Sequence, residues 1–505
     1  MNKIKTLDEL AGIIQQFKKQ GKKIVQCHGV FDLLHPGHIR HFESARKQGD
    51  VLIVTLTKDK YVNKGPGRPV FNQRLRAESI AALQCVDYVA INEWPTATNA
   101  IKKLKPDVYA KGSDYSDSKK DLTGEIRNEE SAVRSAGGRI YFTDDITFSS
   151  TKLLNTHFSV YPEETDEYLR DFREKYTADQ VIKYLKDLSR MKVLVIGDAI
   201  IDEYHYCKAM GKASKENIIP NRFLREETFA GGALATANHI AGFCRDVQLV
   251  TCLGSQNSYE SFIKSRLKPN IKTKFFLREG TPTTVKRRFI EDAFLSKLFE
   301  VCFLDDRPLP EKLESKLHTY LKGIIKNFDL VLVGDFGHGF IEKNTVEFLA
   351  RKANFLAVNA QTNSANAGFN LITKYPRADY ICIDEPEIRL AAHNKFDNIE
   401  NLITGIAKQV KYKKIIVTLG HKGSIGYSPK EGFSRAPVFS KEIVDRMGAG
   451  DAFISVTAPC SAAGYPMDVI GFIGNAVGAM KVLIVGNRSS VEPVPLFKFI
   501  STLLK

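Results

Sequence analysis

Gly-Val-Phe-Asp-Leu-Leu-His-Pro-Gly-His, at residues 29–38, stands between an apolar run at 23–27 and a helical stretch that continues through Ala45. A second apolar run follows at 51–57. A short apolar strand, a Gly-containing turn, a helix and another strand form the pattern of a βαβ unit in a parallel sheet. Residues 29–38 are therefore predicted to form the turn from the first strand into its helix, where α/β sheets bind phosphates.

The same alternation of strands and helices continues in two series, which predicts an α/β protein with two doubly wound domains. The predicted domains are residues 1–157 and 191–505, and a polar stretch at 204–229 in the second predicts a small β lid. Residues 161–190 are charged, helically spaced and free of Gly, which predicts a helical linker at 158–190. Strands are predicted at 88–92, 108–110 and 139–142, and then at 192–196, 247–252, 330–334, 355–358, 380–383 and 415–418.

Composition favours folded enzymes or binding domains over a disordered or fibrous chain. Of the 505 residues, 43% are apolar and 26% are charged, which is the balance of a globular protein. The net charge of +15 would suit a polyanionic partner, but the basic residues are scattered, and with one Trp they favour a solvated surface over a nucleic-acid-binding face. Nucleic-acid binding is kept as a remote alternative function.

The cysteines and the apolar runs indicate the compartment. The eight cysteines form no CxxC pair and have no His at metal-ligand spacing, so we expect reduced and mostly buried thiols. No run approaches the roughly 18 apolar residues of a membrane span, and residues 1–21 lack the apolar core of a signal peptide. We therefore expect a cytoplasmic protein without a membrane partner.

His35 and His38 are the candidate catalytic residues of the first domain. Gly29 lets the backbone pass close to a ligand, while the Pro-Gly pair between the histidines shapes a turn beside the helix N-terminus. Two imidazole donors and the helix dipole would stabilise charge that develops on a triphosphate. For the two histidines alone, a surface turn or a fragment of a metal site remains an equal alternative.

The whole segment is more specific, because it resembles the HxGH signature of cytidylyltransferase-like nucleotidyltransferases. It is most similar to the transferase half of the bacterial bifunctional heptose-phosphate kinase and adenylyltransferase family, and the resemblance covers residues 22–155. Lys111-Gly-Ser-Asp114-Tyr matches a Lys-Gly-Gly-Asp-Tyr element of that family except at Ser113. The resemblance assigns nucleotide binding to Gly29, Phe31, Lys64, Arg68, Arg74, Lys111, Asp114, Ser150 and Thr151.

The reaction implied by this resemblance needs no side-chain nucleophile. A substrate phosphate attacks the α-phosphorus of a nucleoside triphosphate and expels pyrophosphate. Because the attacking group is already an anion, the protein need only position it, with Mg²⁺ and cationic side chains screening the repulsion. ATP and CTP both remain open as the nucleotide donor.

A second candidate site lies at Gly448-Ala449-Gly450-Asp451, which precedes an apolar helix. Backbone amides exposed at such a turn form an anion hole, and Asp451 could accept the proton of a substrate hydroxyl that attacks a γ-phosphate. A Gly-rich turn with Asp as a helix cap is the alternative for this motif taken alone.

Residues 191–488 resemble the ribokinase (PfkB) family, and this resemblance favours Asp451 as a catalytic base over Asp451 as a helix cap. Several positions depart from the family pattern, among them Arg446 and Met447 before the Gly-Ala-Gly turn, Ala235, Gln361 and His338. These departures bear on the identity of the acceptor more than on the phosphoryl chemistry. The resemblance assigns nucleotide binding to Thr418, Gly420, Gly423, Gly448, Ala449, Gly450 and Asn475, acceptor binding to Asp198, Asp202, Gly231 and Gly232, and Mg²⁺ to Asp384 and Glu387.

Together, the two resemblances imply a bifunctional enzyme. A kinase makes a phosphate ester and a nucleotidyltransferase consumes one, so the expected product is a nucleotide-activated sugar or polyol for a cell-surface glycan such as lipopolysaccharide or capsule. The heptose enzymes carry the kinase first, whereas this chain carries it last. A transferase with a regulatory, inactive kinase half is the alternative, and related kinases imply a homodimer formed through the lid.

Overall fold

The computed structural model describes residues 3–112, 125–143, 161–440 and 442–505. These residues form two compact units, Met1–Asp166 with Phe497–Lys505, and Glu167–Leu496. Both units are α/β, as the sequence predicts. The predicted end of the first domain near residue 157 lies outside the described residues.

The first unit is built on a five-stranded sheet in which every neighbouring pair of strands is parallel. The strands are β1 (Ile24–Gly29), β2 (Val51–Thr57), β3 (Tyr88–Asn92), β4 (Val108–Gly112) and β5 (Arg139–Thr143). The spatial order β3-β2-β1-β4-β5 puts β1 in the centre, so the strand that leads into the histidine segment is flanked on both sides. The helices are α1 (Leu7–Lys19), α2 (Pro36–Arg46), α3 (Gln73–Ala81), α4 (Thr98–Leu104) and α5 (Glu125–Ser135).

Burial explains why these segments read as continuous apolar runs. Every residue of β2 is buried, because helices cover both faces of a parallel sheet and leave no solvent face for polar side chains. Leu52, Val54 and Leu56 pack with Val25 and Phe42 in one core cluster. This core fixes the carboxyl end of β1, where the histidine segment begins.

A buried arginine ties the loop after β2 to the turn after β1. The Arg76 guanidinium donates to the backbone oxygens of Phe71 (2.9 Å), Val30 and Thr57 (2.8 Å), and it pairs with the Asp59 carboxylate at 2.5 Å. Its side chain is fully buried. One side chain therefore binds three carbonyls and a carboxylate.

The second unit contains a nine-stranded sheet in the order β10-β9-β6-β13-β14-β15-β16-β17-β18. Its pairs from β10 to β16 are parallel, and the two pairs at the β18 edge are antiparallel. The strands are β6 (Lys192–Gly197), β9 (Asp246–Gln256), β10 (Ile271–Pro282), β13 (Leu330–Asp335), β14 (Leu356–Ala360), β15 (Tyr380–Asp384), β16 (Lys414–Thr418), β17 (Ser424–Ser428) and β18 (Gly432–Ala436).

A separate four-stranded sheet, β12-β11-β7-β8, forms the lid. The sequence predicts the lid only at 204–229, which corresponds to the hairpin of β7 (Ala199–Ala209) and β8 (Asn221–Gly232). β11 (Val285–Glu291) and β12 (Ser296–Phe303) complete it, so the lid is larger than expected. β11 pairs with β7 in parallel, a long-range pairing that the local pattern does not reveal.

Helices flank the main sheet and fill the predicted linker. Residues 161–190 contain two helices, α6 and α7, as a helical linker would. Within the described residues, no helix is long and apolar enough to span a membrane. The helices are α6 (Glu163–Lys175), α7 (Ala178–Asp187), α8 (Ala233–Phe243), α9 (Glu260–Arg266), α10 (Glu311–Ile324), α11 (Lys343–Lys352), α12 (Glu385–Ala391), α13 (Ile399–Ile406), α14 (Ala449–Ala462), α15 (Met467–Lys481) and α16 (Pro493–Leu503).

Replacing Arg76 tests whether this guanidinium holds the first unit together. Arg76→Met should lower the free energy of unfolding by about 3–5 kcal/mol, because it leaves Asp59 and three carbonyls without their partner. Arg74→Met is the matched control, since the Arg74 side chain is 86% exposed and should change stability little. Urea unfolding followed by the fluorescence of Trp94, the single tryptophan, reports on this unit. Equal midpoints for the two variants would contradict the assignment.

Candidate active sites

The first candidate site lies where β1 turns into α2. His35 is the extended residue that caps α2, and His38 lies in its first turn, so both imidazoles stand beside the helix N-terminus. Their rings are stacked with centroids 3.8 Å apart, and Phe31 packs edge-on against His38 at 5.2 Å. The two histidines that the sequence predicts to be catalytic therefore lie in direct contact with each other.

Gly29 packs closely against the ring of Phe31. A Cβ built on Gly29 would come within 2.9 Å of the Phe31 ring, closer than carbon atoms approach in proteins. Phe31 itself has a positive φ of 46°, which turns the chain sharply towards the histidines. Glycine at position 29 therefore leaves room for the Phe31 ring in the turn between β1 and α2.

Burial and positive charge keep both histidines neutral before a ligand binds. Burial, followed by the neighbouring His35, lowers the pKa of His38 to about 3, and burial followed by the Lys64 charge lowers the pKa of His35. Burial likewise lowers the pKa of Lys64 to about 8, which leaves its ammonium mostly charged at pH 7. A bound phosphate would offset the repulsion between Lys64 and protonated His35 or His38, so this cluster favours an anion.

The remaining predicted residues of the first site lie in different surroundings. The Arg68 side chain is buried and pairs with Asp32 at 3.3 Å, and Asp32 also accepts the Val70 amide at 2.7 Å. Arg74 points to solvent and pairs with Glu78 at 3.0 Å. Lys111, at the end of β4, pairs with Glu129 at 2.8 Å. Asp114, Ser150 and Thr151 lie outside the described residues.

The second candidate site lies at the N-terminus of α14. Gly448 caps this helix in a left-handed conformation with φ of 72°, and a Cβ there would meet the Asn487 side-chain oxygen at 2.6 Å. Asp451 follows in the first turn and is 7% exposed. Its Oδ1 accepts a hydrogen bond of 2.8 Å from the side-chain amide of Gln361.

Two cavities meet at this helix N-terminus. One, of about 590 Å³, is lined by Asp202, Asp451 and the lid cations Lys286, Arg288 and Lys297. The other, of about 490 Å³, is mostly apolar and is lined by Phe439, Phe453, Asn475 and Val482 among others. Both cavities share the lining residues Thr418, Arg446, Ala449 and Gly450.

The two cavities differ in the polarity of the residues that line them. The apolar cavity suits a nucleobase, and it contains the predicted residues Thr418, Gly420, Gly423 and Asn475. The polar cavity holds the carboxylate and therefore suits the acceptor. Phosphates would lie between them, over the amides of residues 448–450.

The predicted acceptor residues divide into two groups. Asp202 lines the acceptor cavity, where its Oδ1 pairs with Arg288 at 2.5 Å. A Cβ on Gly231 would lie 2.1 Å from the Asp202 carboxylate, and one on Gly232 would lie 2.6 Å from the Asp198 carbonyl, so both glycines permit close packing. Asp198 itself does not line this cavity: its carboxylate accepts the Phe336 amide at 2.9 Å.

Asp384 and Glu387, the predicted Mg²⁺ residues, line the acceptor cavity together with Asp451. Glu387 accepts the amides of Asp384 (2.7 Å) and Thr362 (3.1 Å), and Asp384 accepts the Glu387 amide at 2.8 Å. Burial, followed by the Asp384 charge, raises the pKa of Glu387. No group of three or more His, Cys, Asp or Glu side chains with metal-ligand geometry occurs in the described part of the chain. The pair therefore fits an ion carried mainly by nucleotide phosphates.

Several residues of the second site carried no sequence assignment. Lys286, Arg288 and Lys297 come from β11 and from the start of β12, and Lys481 ends α15. In the sequence, these residues could have been noticed as charges that interrupt an apolar or alternating segment. Lys-Arg-Arg follows Val285, and a single Lys stands near the end of a long apolar helix.

Two family models match the parts of the chain that contain the candidate sites. The model of the pfkB family carbohydrate kinases matches residues 190–493, which is more than half of the chain. The chain belongs to the pfkB family of carbohydrate kinases. The cytidylyltransferase-like family model matches residues 27–156, so the first unit is cytidylyltransferase-like.

Curated relatives match over a limited region. The chain is 40% identical over 165 residues to "Bifunctional protein HldE" of Geobacter sulfurreducens and 42% identical over 168 residues to the protein of the same name from Geobacter metallireducens. Each match covers 32% of this chain and 32% of the relative, so it spans about a third of the relative's length. The solved structure of phosphofructokinase-2 from Escherichia coli with substrates and products is 13% identical with a TM-score of 0.50, covers 62% of this chain and all (100%) of that one, and supports the fold alone.

The protonation of Asp451 should set the acidic limb of the kinase pH profile. Burial, followed by the Asp202 charge, raises the pKa of Asp451 to about 6, whereas the Gln361 hydrogen bond lowers it. ADP formation at limiting acceptor should therefore rise with pH through about 6, as the base loses its proton. Gln361→Leu removes a donor to the carboxylate and should move this limb to higher pH.

Gln248→Leu is the matched control, because Gln248 is also a half-buried hydrogen-bond donor but bonds to Tyr320 and lines neither cavity. Its pH profile should coincide with that of the unaltered protein. An acidic limb that stays in place or moves to lower pH in Gln361→Leu would show that Asp451 is not the titrating base.

Proposed function

We propose that this chain is a bifunctional enzyme that phosphorylates a sugar or polyol with ATP and then transfers a nucleotidyl group to the resulting sugar phosphate. The observation that carries the kinase half is the meeting of an acceptor cavity and an apolar cavity at Asp451 and the amides of residues 448–450. The stacked pair of His35 and His38 at a helix N-terminus carries the transferase half.

In the kinase step, the acceptor hydroxyl lies in the cavity that contains Asp202 and Asp451. Asp451 accepts the hydroxyl proton as the oxygen attacks the γ-phosphorus, and the bond to the β-phosphate oxygen breaks to release ADP. The amides of Gly448, Ala449 and Gly450 face the charge that develops on the transferred group. Because these amides are fixed by the fold, they need not reorganise during the reaction.

In the transferase step, the sugar phosphate attacks the α-phosphorus of a nucleoside triphosphate and pyrophosphate leaves. His35 and His38 lie where their N–H groups can donate to phosphate oxygens, and Lys64 adds a positive charge. The described residues near these histidines offer no Ser or Cys paired with a base, and none is needed when the nucleophile is an anion.

Mg²⁺ would supply charge neutralisation on the nucleotide phosphates in both steps. In the kinase site, Asp384 is exposed and Glu387 is buried. Asp384 would therefore hold the ion, and Glu387 would orient Asp384. The two acids otherwise fix each other across the first turn of α12, which keeps the Asp384 carboxylate beside the acceptor cavity.

The product would be a nucleotide-activated sugar or polyol, which we propose feeds a cell-surface glycan such as lipopolysaccharide or capsule. The relatives' shared description as a bifunctional protein supports two activities in one chain. Either ATP or CTP is retained as the nucleotide donor. Because these triphosphates and the sugar phosphates are cytoplasmic metabolites, we propose that the protein acts in the cytoplasm.

Separate substitutions distinguish the two activities. Asp451→Asn should reduce ADP formation from ATP and unphosphorylated sugars by about 10³-fold or more, since the base is lost. It should leave pyrophosphate release from sugar phosphates unchanged. His38→Ala should do the opposite. Each variant is the control for the other, and a panel of sugars and sugar phosphates with ATP or CTP identifies the substrates.

An unchanged rate of ADP formation in Asp451→Asn would mean that the kinase half is not catalytic, as the regulatory alternative requires. Persistent pyrophosphate release in His38→Ala would remove the first site from the proposal.

We also propose that the lid forms a homodimer. Its exposed apolar side chains include Phe223, Leu224, Phe299, Val301 and Phe303, a concentration that is unusual for a monomer surface. Covering them with a second copy of the lid would remove this area from water.

Sedimentation analysis tests the lid interface. The unaltered protein should sediment as a dimer, and Phe299→Ser should shift it towards monomer by removing apolar contact area. Phe396→Ser is the control, because Phe396 is 90% exposed but lies away from the lid sequence. A monomer for all three proteins, or equal dissociation of both variants, would exclude this interface.

A further inference from the structure

A fully buried lysine lies beneath the anion hole of the second site. Lys481 is the last residue of α15 and is 0% exposed. Its ammonium donates to the backbone oxygens of Met447 and Gly486, each at 2.7 Å. A buried ammonium is costly unless it is compensated, so this position needs an explanation beyond packing.

Asp445 complements Lys481 on the same two residues. Its carboxylate accepts the Met447 amide at 3.1 Å and the Gly486 amide at 2.8 Å, while Lys481 bonds to their carbonyls. Tyr204 and Lys297 also donate to Asp445, at 2.7 and 3.0 Å. The acid and the ammonium therefore clamp one segment before α14 and one after α15 against each other.

The clamp adjoins the groups that would hold the transferred phosphate. Met447 directly precedes Gly448, which caps α14, and the amides of residues 448–450 line both cavities or their junction. The side chain of Asn487, next to Gly486, occupies the space where a Cβ on Gly448 would lie. A shift of either segment would therefore move the anion hole.

The charge of Lys481 also acts on the site. Burial lowers its pKa to about 8, while the carboxylates of Asp445, Asp451 and Asp202 oppose this change. The ammonium is thus mostly protonated at neutral pH and lies within electrostatic range of Asp451. A positive charge in this low-dielectric position also favours an anion at the neighbouring helix N-terminus.

Carbonyl oxygens that converge on one point with a carboxylate nearby are the ligands that bind alkali-metal ions. An ammonium has the same charge and bonds to the same oxygens. A lysine held in the chain occupies such a position at every salt concentration, whereas a free ion occupies it only in proportion to its concentration.

We propose that Lys481 is a positioning residue that serves as a built-in monovalent cation for the anion hole, so that phosphoryl transfer by this chain needs no free alkali-metal ion. This inference rests on the proposed kinase activity. Lys481 touches neither substrate and acts through the carbonyls of Met447 and Gly486.

The first test compares ADP formation in potassium chloride and in tetramethylammonium chloride, whose cation is too large for a carbonyl site. The unaltered protein should have the same kcat in both salts. Lys481→Ala in tetramethylammonium should lose roughly ten- to a hundred-fold in kcat, with a smaller change in acceptor KM. Potassium or ammonium ions should restore a large part of that loss by entering the vacated position.

Lys414→Ala is the matched control, because Lys414 is also a largely buried lysine bonded to a backbone carbonyl, that of Tyr465, but lines neither cavity. It should show no dependence on the cation. A cation requirement in the unaltered protein, or a loss in Lys481→Ala that potassium and ammonium leave unchanged, would overturn the proposal.

Crystals of the full chain grown with rubidium chloride give a readout that does not require activity. Lys481→Ala should show an anomalous peak between the carbonyl oxygens of Met447 and Gly486, and the unaltered protein should show none there. Should the unaltered protein form no ADP with any acceptor, the kinase proposal fails, and the rubidium peak still decides the inference about Lys481. The absence of a peak in a folded Lys481→Ala crystal would refute it.

Discussion

The first turn of an α-helix has backbone N–H groups without intrahelical partners, and both candidate sites depend on them. In the first unit these groups belong to α2 and stand beside His35 and His38. In the second they belong to α14 and stand beside Asp451. In the first unit, the central parallel strand β1 leads the chain to the N-terminus of α2. Gly448, in the left-handed conformation, turns the chain into α14, and Gly29 leaves room for the Phe31 ring after β1.

The two sites differ in what surrounds these amides, and that difference suits their proposed chemistry. The first site gathers two imidazoles and an ammonium, and it needs no base if the nucleophile is the proposed sugar phosphate. The second site includes a carboxylate whose pKa is raised towards neutrality, as a base for a hydroxyl requires. A helix N-terminus in each unit therefore suits the proposed attack at an α-phosphorus in one and at a γ-phosphorus in the other.

Buried charges in both units are held in pairs that also fix backbone segments. Arg76 binds Asp59 and three carbonyls, and Asp202 binds Arg288 beside the close-packed Gly231. Asp445 and Lys481 bind the amides and carbonyls of the same two residues. Such pairs contribute little net stability compared with apolar packing, but losing one partner is costly. They therefore specify the positions of the loops from which the sites are built.

Local patterns were sufficient for most strands and for the principal motifs. The predicted strands at 88–92, 330–334 and 380–383 match β3, β13 and β15 to within one residue at each end, because buried parallel strands are continuous apolar runs. The lid was predicted only in part, since the parallel pairing of β7 with β11 joins residues more than 80 positions apart in the sequence. Arg74 and Arg76 look alike in the sequence, yet one is exposed and the other fully buried.

Periodicity and neighbours within a few positions were enough to predict the α/β class, the two glycine-containing turns and the residue types in them. The folded chain was needed to show that Gln361 bonds to Asp451, that lid cations line the polar cavity and that Lys481 bonds to the carbonyl of Met447. Those contacts join segments distant in the chain, and their strength depends on burial, which no local pattern encodes.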